Sequence, residues 1–290
     1  MQDSGEPNSS AYKWCWGSIL PPAPGAPGDR PVWNPLVFEM VTAGAVMLEM
    51  WERVLSPAQR TYVAEGFGAV DERSARLAAG FLAGVSRVGH ACPSQMVSFD
   101  AAGQGASPDR ERACAVWREQ AVKVGLPLPL PGARLRHAAP EHVTAAVLPR
   151  LTGCDCPGFV DGERCRADAH QGLYGAAYAL NRQGADVLHA DTVAKAYRAT
   201  GGAPWDAIRM ALVDAVARHV GIAAGSLPSL IRPADPLSLT AFSGLVSQSV
   251  ALSRPDAAGD VASPHEDWET MTSRAHLHAR SAVGRIGVGG

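Results

Sequence analysis

The chain has 290 residues, of which 47% are hydrophobic and 19% are charged, and its formal net charge is −2. This length is enough to bury a sizeable core in one large domain or in two smaller ones. The near-neutral charge provides no overall positive field, so the composition argues against nucleic acid and anionic lipid as partners. Only three of the 26 basic residues are lysines, which together with the many alanines and glycines is typical of a GC-rich bacterial genome.

We expect neither a secretory signal nor a membrane span. The most apolar stretch, residues 32–51, contains Glu39 and Glu49 and is interrupted by Pro35. A membrane span rarely holds two carboxylates, so this stretch is interpreted as a buried helix. We therefore expect a cytoplasmic protein with reduced thiols, in which clustered cysteines favour metal binding or catalysis over disulfides.

The first segment of the chain differs in composition from the rest. Residues 1–31 are polar and then rich in proline and glycine, which is typical of a flexible or polyproline-like arm. From residue 32 the pattern is helical, and we predict an all-α, bundle-like domain over residues 32–285 with a tail over 286–290. A sub-boundary could lie in the proline-rich stretch 126–131, but a single helical domain fits equally well.

Helix starts are marked by prolines, because the fixed φ of proline suits the first helical position and its missing N–H is not needed there. Ser56-Pro-Ala-Gln59 and Ser263-Pro-His-Glu266 also have the spacing of a capping box. The predicted helices span residues 35–55, 57–66, 71–88, 109–124, 140–148, 166–182, 187–199, 204–220, 236–252 and 264–283. The one strand candidate is an extended piece over residues 144–159, where a short β-hairpin could form.

Potential metal ligands are most concentrated between residues 154 and 170, around a Pro-Gly and an Asp-Gly turn. Cys154 and Cys156 can both point at one ion from a tight turn, and Cys165 and His170 follow within the same stretch. Three thiolates and one imidazole complete a closed tetrahedron for Zn²⁺, so this zinc-binding turn would be structural rather than catalytic. Redox-active thiols, or three reduced cysteines in a surface loop, are the alternatives.

These residues also resemble a SWIM-type zinc finger, which reads Cys-x-Cys, a variable spacer and then Cys-x-His. The matching positions are Cys154, Cys156, Pro157, Phe159 and Cys165. The spacing differs before His170, because four residues rather than one separate it from Cys165. The resemblance implies that the three cysteines are ligands and that the module binds DNA or protein. Between Arg150 and His170 there are three arginines and four carboxylates, a balance that favours a protein partner over DNA.

A second hypothesis is a helical enzyme with an apolar pocket between the 35–55 helix and the C-terminal helix. Glu39 supports it, because a carboxylate on so apolar a helix must be exposed, paired or catalytic. His189 follows Asp186 at a carboxylate–histidine spacing that helical di-iron proteins use, although a helix start explains it more simply. His276 lies on a polar helix face that is more simply solvated. Candidate residues for acid–base or metal chemistry are Glu39, His189 and His276.

The remaining motifs are informative by their absence. The sequence contains no P-loop, no Gly-x-Ser-x-Gly elbow and no His-Glu-x-x-His motif. Whether the chain is an enzyme therefore stays open at this point. The main prediction is a zinc-stabilised helical scaffold that binds a protein partner through the 154–170 turn.

Overall fold

A computed structural model describes eight stretches of the chain, which are residues 10–20, 32–103, 108–130, 133–151, 190–223, 225–231, 236–255 and 261–287. The predicted zinc-binding turn with Cys154, Cys156, Cys165 and His170 lies outside these residues. So do His189 and the helix predicted over residues 166–182. The predictions for these positions stay predictions.

The described part of the chain is mostly helical, which confirms the predicted class. Its helices are α1 (Leu36–Arg53), α2 (Pro57–Phe67), α3 (Glu72–Val85), α4 (Pro93–Gly103), α5 (Pro108–Lys123), α6 (Pro140–Leu151), α7 (Ala190–Tyr197), α8 (Ala203–Val220), α9 (Leu227–Leu230), α10 (Pro236–Leu252) and α11 (Trp268–Gly287). A 3-10 turn, Val88–His90, follows α3. Helix α4 was not predicted, and the helix predicted over 71–88 ends earlier, at the start of this turn.

Capping explains why most helix starts could be placed from the sequence. At α2, the Gln59 N–H donates to Ser56 Oγ at 3.3 Å and the Ser56 N–H donates to Gln59 Oε1 at 2.8 Å, which completes the predicted capping box. At α11 the predicted start is too early. Glu266 Oε1 does accept from the Ser263 N–H at 3.0 Å, but Asp267 accepts from the Thr270 N–H at 2.8 Å and the helix begins after it.

Two short strands precede the first helix. Strands β1 (Trp16–Leu20) and β2 (Val32–Pro35) pair antiparallel, with a register shift between Trp16 and Ser18 that leaves Gly17 as a bulge. The strand predicted over 144–159 is wrong as far as residue 151, because those residues belong to α6. Alternating apolar residues were too few in either strand to distinguish them from the proline-rich arm.

Helix α1 is the centre of the packing. It contacts α3, α8, α10, α11 and both strands, so almost every side chain along it is buried. Two glycines let α1 and α3 approach closely: a Cβ at Gly44 would lie 3.1 Å from the Gly80 carbonyl oxygen, and one at Gly80 would lie 2.7 Å from Leu48 Cδ2. No described helix combines the length and apolar character needed to cross a membrane.

The turn after α3 is pinned against α6. The Gly89 N–H donates to Thr144 Oγ1 at 3.0 Å, and that hydroxyl lies 3.2 Å from the Ser86 carbonyl oxygen. A Cβ at Gly89 would lie only 1.9 Å from the Pro140 carbonyl oxygen, so the contact requires glycine. The position of this turn therefore depends on a backbone-to-backbone approach.

We expect Gly89→Ala to lower the free energy of unfolding by about 3 kcal/mol or more, because neither backbone can yield to the new methyl group. The matched control is Gly244→Ala on α10, where an added Cβ meets nothing within 4 Å. That change should stabilise the protein by about 0.5–1 kcal/mol through helix propensity. Urea denaturation of both variants measures the difference, and an equal effect at the two sites would contradict the predicted clash.

Candidate functional site

A charged residue, Glu39, lies in the first turn of the apolar helix α1. Glu39 is 0% exposed, and its Oε1 accepts hydrogen bonds from Asn34 Nδ2 at 3.1 Å and from Ser18 Oγ. Ser18 and Asn34 are cross-strand partners in the β1–β2 pair, so the hairpin supplies both donors. Of the three roles predicted for Glu39, the structure shows that the carboxylate is paired.

The partner of Glu39 is Arg87, at the end of α3. Arg87 Nη1 lies 2.7 Å from Glu39 Oε2, and both side chains are buried. Arg87 Nη2 also donates to the Gly17 carbonyl oxygen at 3.4 Å. Burial lowers the pKa of Arg87, and the Glu39 carboxylate opposes that shift. Because both charges are removed from water, each depends on the other as its counter-ion.

Gly17 is part of this arrangement because a larger residue would not fit. A Cβ at Gly17 would lie 2.5 Å from the carboxyl carbon of Glu39. The bulge at this position brings the backbone against the carboxylate and turns its carbonyl toward Arg87. The hairpin therefore closes one side of the ion pair.

His90 lies on the other side of Arg87 and is held at both ring nitrogens. Its Nε2 lies 3.5 Å from Arg87 Nη2, and its Nδ1 lies 3.2 Å from the Arg87 carbonyl oxygen. Since a guanidinium can only donate, Nε2 accepts and Nδ1 carries the proton. Burial, and then the charge of Arg87, lower the pKa of His90 to about 3. Ser18, Asn34, Glu39, Arg87 and His90 are termed the buried polar centre.

Helix α8 fixes the following residues through Arg209, whose side chain is fully buried. Arg209 Nη1 donates to the carbonyl oxygens of Ala91 and Thr200, each at 2.8 Å, and Nη2 lies 2.6 Å from Asp206 Oδ1. The 86–92 turn is thus held by Glu39 of α1, by α6 at Gly89 and by α8. Its conformation is set by tertiary contacts on three sides.

The cysteines near this turn do not form a reactive site. Cys15, Cys92 and Cys114 are buried thiols outside any disulfide, and burial raises the pKa of the Cys15 thiol. In the neighbouring pair His90 and Cys92, the imidazole is engaged by Arg87 and the sulfur lies 3.5 Å from Ser94 Oγ. Among the described residues, no three His, Cys, Asp or Glu side chains are grouped as a metal site requires.

Two of the enzyme candidates, Glu39 and His276, belong to the described residues. His276 of α11 packs against His219 of α8, with ring centroids 4.7 Å apart. Burial, and then His276, lower the pKa of His219 to about 4. Within the described ranges, no hydrogen bond, ion pair or ring contact joins His276 to Glu39. The catalytic roles predicted for Glu39, His189 and His276 stay predictions.

The described residues define a mostly helical domain in which an apolar first helix carries a buried carboxylate against the turn that follows α3. A family model described as "Cas3, HD domain" matches residues 23–249. The chain belongs to the Cas3 HD domain family. No curated protein matches it.

Solved structures show the same fold at low sequence identity. A CRISPR-associated protein shares 23% identity with a TM-score of 0.61, over 96% of this chain and 28% of that one. The Thermus thermophilus Cas3 HD domain, determined in the presence of Ni²⁺, shares 18% identity with a TM-score of 0.57, and the match covers 96% of this chain and 91% of that one. T. fusca Cas3 shares 16% identity with a TM-score of 0.51, and the match covers 94% of this chain and 26% of that one. The chain thus spans little more than a quarter of the larger proteins.

Family membership corrects the main predictions made from the sequence. The SWIM-type resemblance is wrong, and so is the function built on it, a zinc scaffold for a protein partner. The argument from net charge against nucleic acid is also wrong, because the Cas3 HD domain is a nuclease domain of a CRISPR protein. Only the general prediction of a bound metal is confirmed for the family. HD domains bind divalent metal ions, and family membership implies a catalytic metal rather than structural zinc.

The described residues do not fit the donor set of such a metal. A catalytic site needs about three protein ligands with free lone pairs. The buried polar centre offers one carboxylate, Glu39, and one amide oxygen without a hydrogen-bond partner, Asn34 Oδ1. Arg87 has no lone pair to give, and both nitrogens of His90 are engaged. No catalytic step through a metal is therefore derived from these residues.

We expect Arg87→Met to lower the free energy of unfolding by about 3–5 kcal/mol, because it leaves the Glu39 carboxylate buried without a counter-ion. The double variant Glu39→Gln/Arg87→Met removes both charges and should be less destabilised than the sum of the single changes. Urea denaturation measures all three. Lys123→Met, at an exposed ion pair of α5, is the control and should have little effect. Additive losses in the double variant would argue against direct coupling.

We also expect acid to destabilise the protein through His90. Its folded pKa of about 3 lies below the ordinary value of 6.5, so between these values the unfolded chain binds a proton that the folded chain does not. The free energy of unfolding should therefore fall as the pH is lowered, by up to about 1.4 kcal/mol per pH unit for each such histidine. His219 contributes to the same loss of stability between pH 6.5 and its folded pKa of about 4.

His90→Asn should remove about half of this slope between pH 6 and pH 4.5, because His219 keeps its share. Denaturant titrations across that range provide the measurement. The exposed His137→Asn controls for the loss of an imidazole as such. An unchanged slope in His90→Asn would show that the imidazole is not held neutral by Arg87.

Proposed function

We propose that this chain is the HD module of a Cas3-type CRISPR effector and that it contacts nucleic acid there. The observation that carries the proposal is the family match over residues 23–249. CRISPR effectors hold nucleic acid largely through its backbone, in positively charged channels. The buried thiols of Cys15, Cys92 and Cys114, which form no disulfide, are compatible with a reducing, cytoplasmic location, and we include that location in the proposal.

The contacts must come from a local cluster of charge, since the chain as a whole has a net charge of −2. Arg134, Arg136 and His137 are exposed on the extended segment 133–139 that leads into α6. Neither arginine forms an ion pair with another described residue. Guanidinium groups bind phosphate in a bidentate manner, so this segment is our candidate for contacting the nucleic-acid backbone.

Cleavage of nucleic acid is the second candidate, and family membership favours it because the Cas3 HD domain is a metal-dependent nuclease domain. In this chain the described residues do not supply the ligands. A metal-dependent reaction would therefore need ligands from outside the described residues, for example from residues 152–189, where His170, His189 and the three predicted thiolates lie.

Binding is tested with the full chain and labelled single-stranded and duplex DNA and RNA, by fluorescence anisotropy in EDTA. We expect binding at low salt that weakens as salt is raised, because phosphate contacts release counter-ions. Arg134→Glu/Arg136→Glu should weaken it about tenfold or more. The matched control Arg73→Glu/Arg112→Glu reverses two exposed arginines elsewhere and should cause a smaller loss. No binding to any probe would contradict the proposal.

The same samples separate the two candidates. Electrophoresis after incubation with Mg²⁺, Mn²⁺ or Ni²⁺ should show intact probes if the chain binds without cleaving. Metal-dependent cleavage that is lost in His170→Ala would establish the second candidate, with ligands outside the buried polar centre. Cleavage lost in Glu39→Gln would instead place the metal at Glu39.

A further inference from the structure

We infer that Arg87 is the counter-charge of Glu39 and that the buried polar centre is therefore complete without a divalent cation. The family's activity depends on a metal, whereas the ion pair in this chain is closed by its own side chains. This inference concerns metal binding alone. It can fail or hold whether or not the chain contacts nucleic acid.

The first argument is charge. A fully buried carboxylate must be neutralised or paired, because transfer of a lone charge from water is very unfavourable. Arg87 Nη1, at 2.7 Å from Oε2, provides one full positive charge. Asn34 and Ser18 occupy the other oxygen, Oε1. A divalent ion beside Arg87 would add two further positive charges at short range and would be repelled by the guanidinium.

The second argument is space. A metal bound to a carboxylate lies about 2.0–2.2 Å from the oxygen, which is inside the distance now occupied by the guanidinium. The bulge at Gly17 closes the opposite side, because its backbone is so near the carboxylate that a methyl group there would collide with it. Arg87 itself is tied to the Gly17 carbonyl and to His90, so its displacement would break both contacts.

The third argument is the lack of further ligands. His90 is the histidine of the 86–92 turn, and a metal would have to compete with Arg87 for its Nε2. Among the residues that the structure describes, the centre contains no second carboxylate, and no three ligand side chains are grouped as a metal site requires.

Metal content and thermal stability of the full chain test this inference. After chelation, the wild type, Glu39→Gln and the variant Cys154→Ser/Cys156→Ser/Cys165→Ser/His170→Ala are titrated with Ni²⁺ and Mn²⁺ by calorimetry. We expect the fourfold variant to bind no stoichiometric metal and to have the same Tm in EDTA and in Ni²⁺. Any Ni²⁺ bound by the wild type should bind equally to Glu39→Gln.

A stoichiometric site that is present in the wild type and lost in a folded Glu39→Gln variant would overturn the inference. If that variant does not fold, Mn²⁺ can be added to the fourfold variant and the His90 ring signals followed by NMR. They should stay sharp, since no paramagnetic ion would lie near. Broadening of these signals by one equivalent of Mn²⁺ would likewise overturn the inference.

Discussion

The ion pair between Glu39 and Arg87 is the constraint on which the rest of this structure depends. It joins the first turn of the apolar helix α1 to the turn after α3, and the hairpin supplies polar donors to the same carboxylate. Removing either charge would leave the other one buried and unpaired. The bulge at Gly17 and the neutral His90 both follow from the need to enclose two opposite charges.

This pair also explains why so many contacts converge on the 86–92 turn. An ion pair transferred from water is stabilising only if its geometry is accurate, because the loss of hydration nearly cancels the attraction. Thr144 and Arg209 hold the turn from α6 and α8, and so keep Arg87 at its distance from Glu39. Rigid backbone contacts, such as that of Gly89 with Pro140, provide accuracy that flexible side chains would not.

An interaction in this structure can be predicted from the sequence when its residues lie close together along the chain. Ser56 and Gln59 are three residues apart, and local capping of this kind placed most described helices within a few residues. Glu39 could be marked as paired or catalytic from its own surroundings on α1. Its partner could not, because Arg87 reaches it only after α1 and α3 have packed. The family could not be identified from one short motif such as Cys154 to Cys165, because the match extends over residues 23–249.

The buried ion pair between Glu39 and Arg87 has an implication for function, separate from its contribution to stability. Apolar residues of similar volume would often stabilise a core equally well, so a buried pair is better explained by a need for a defined arrangement. Here the arrangement is that of α1, the hairpin and the 86–92 turn, which meet at Glu39 and Arg87. A guanidinium can hold these elements together permanently, whereas a metal holds them only while it is bound. In this chain, the arrangement of α1, the hairpin and the 86–92 turn is thereby maintained by its own side chains.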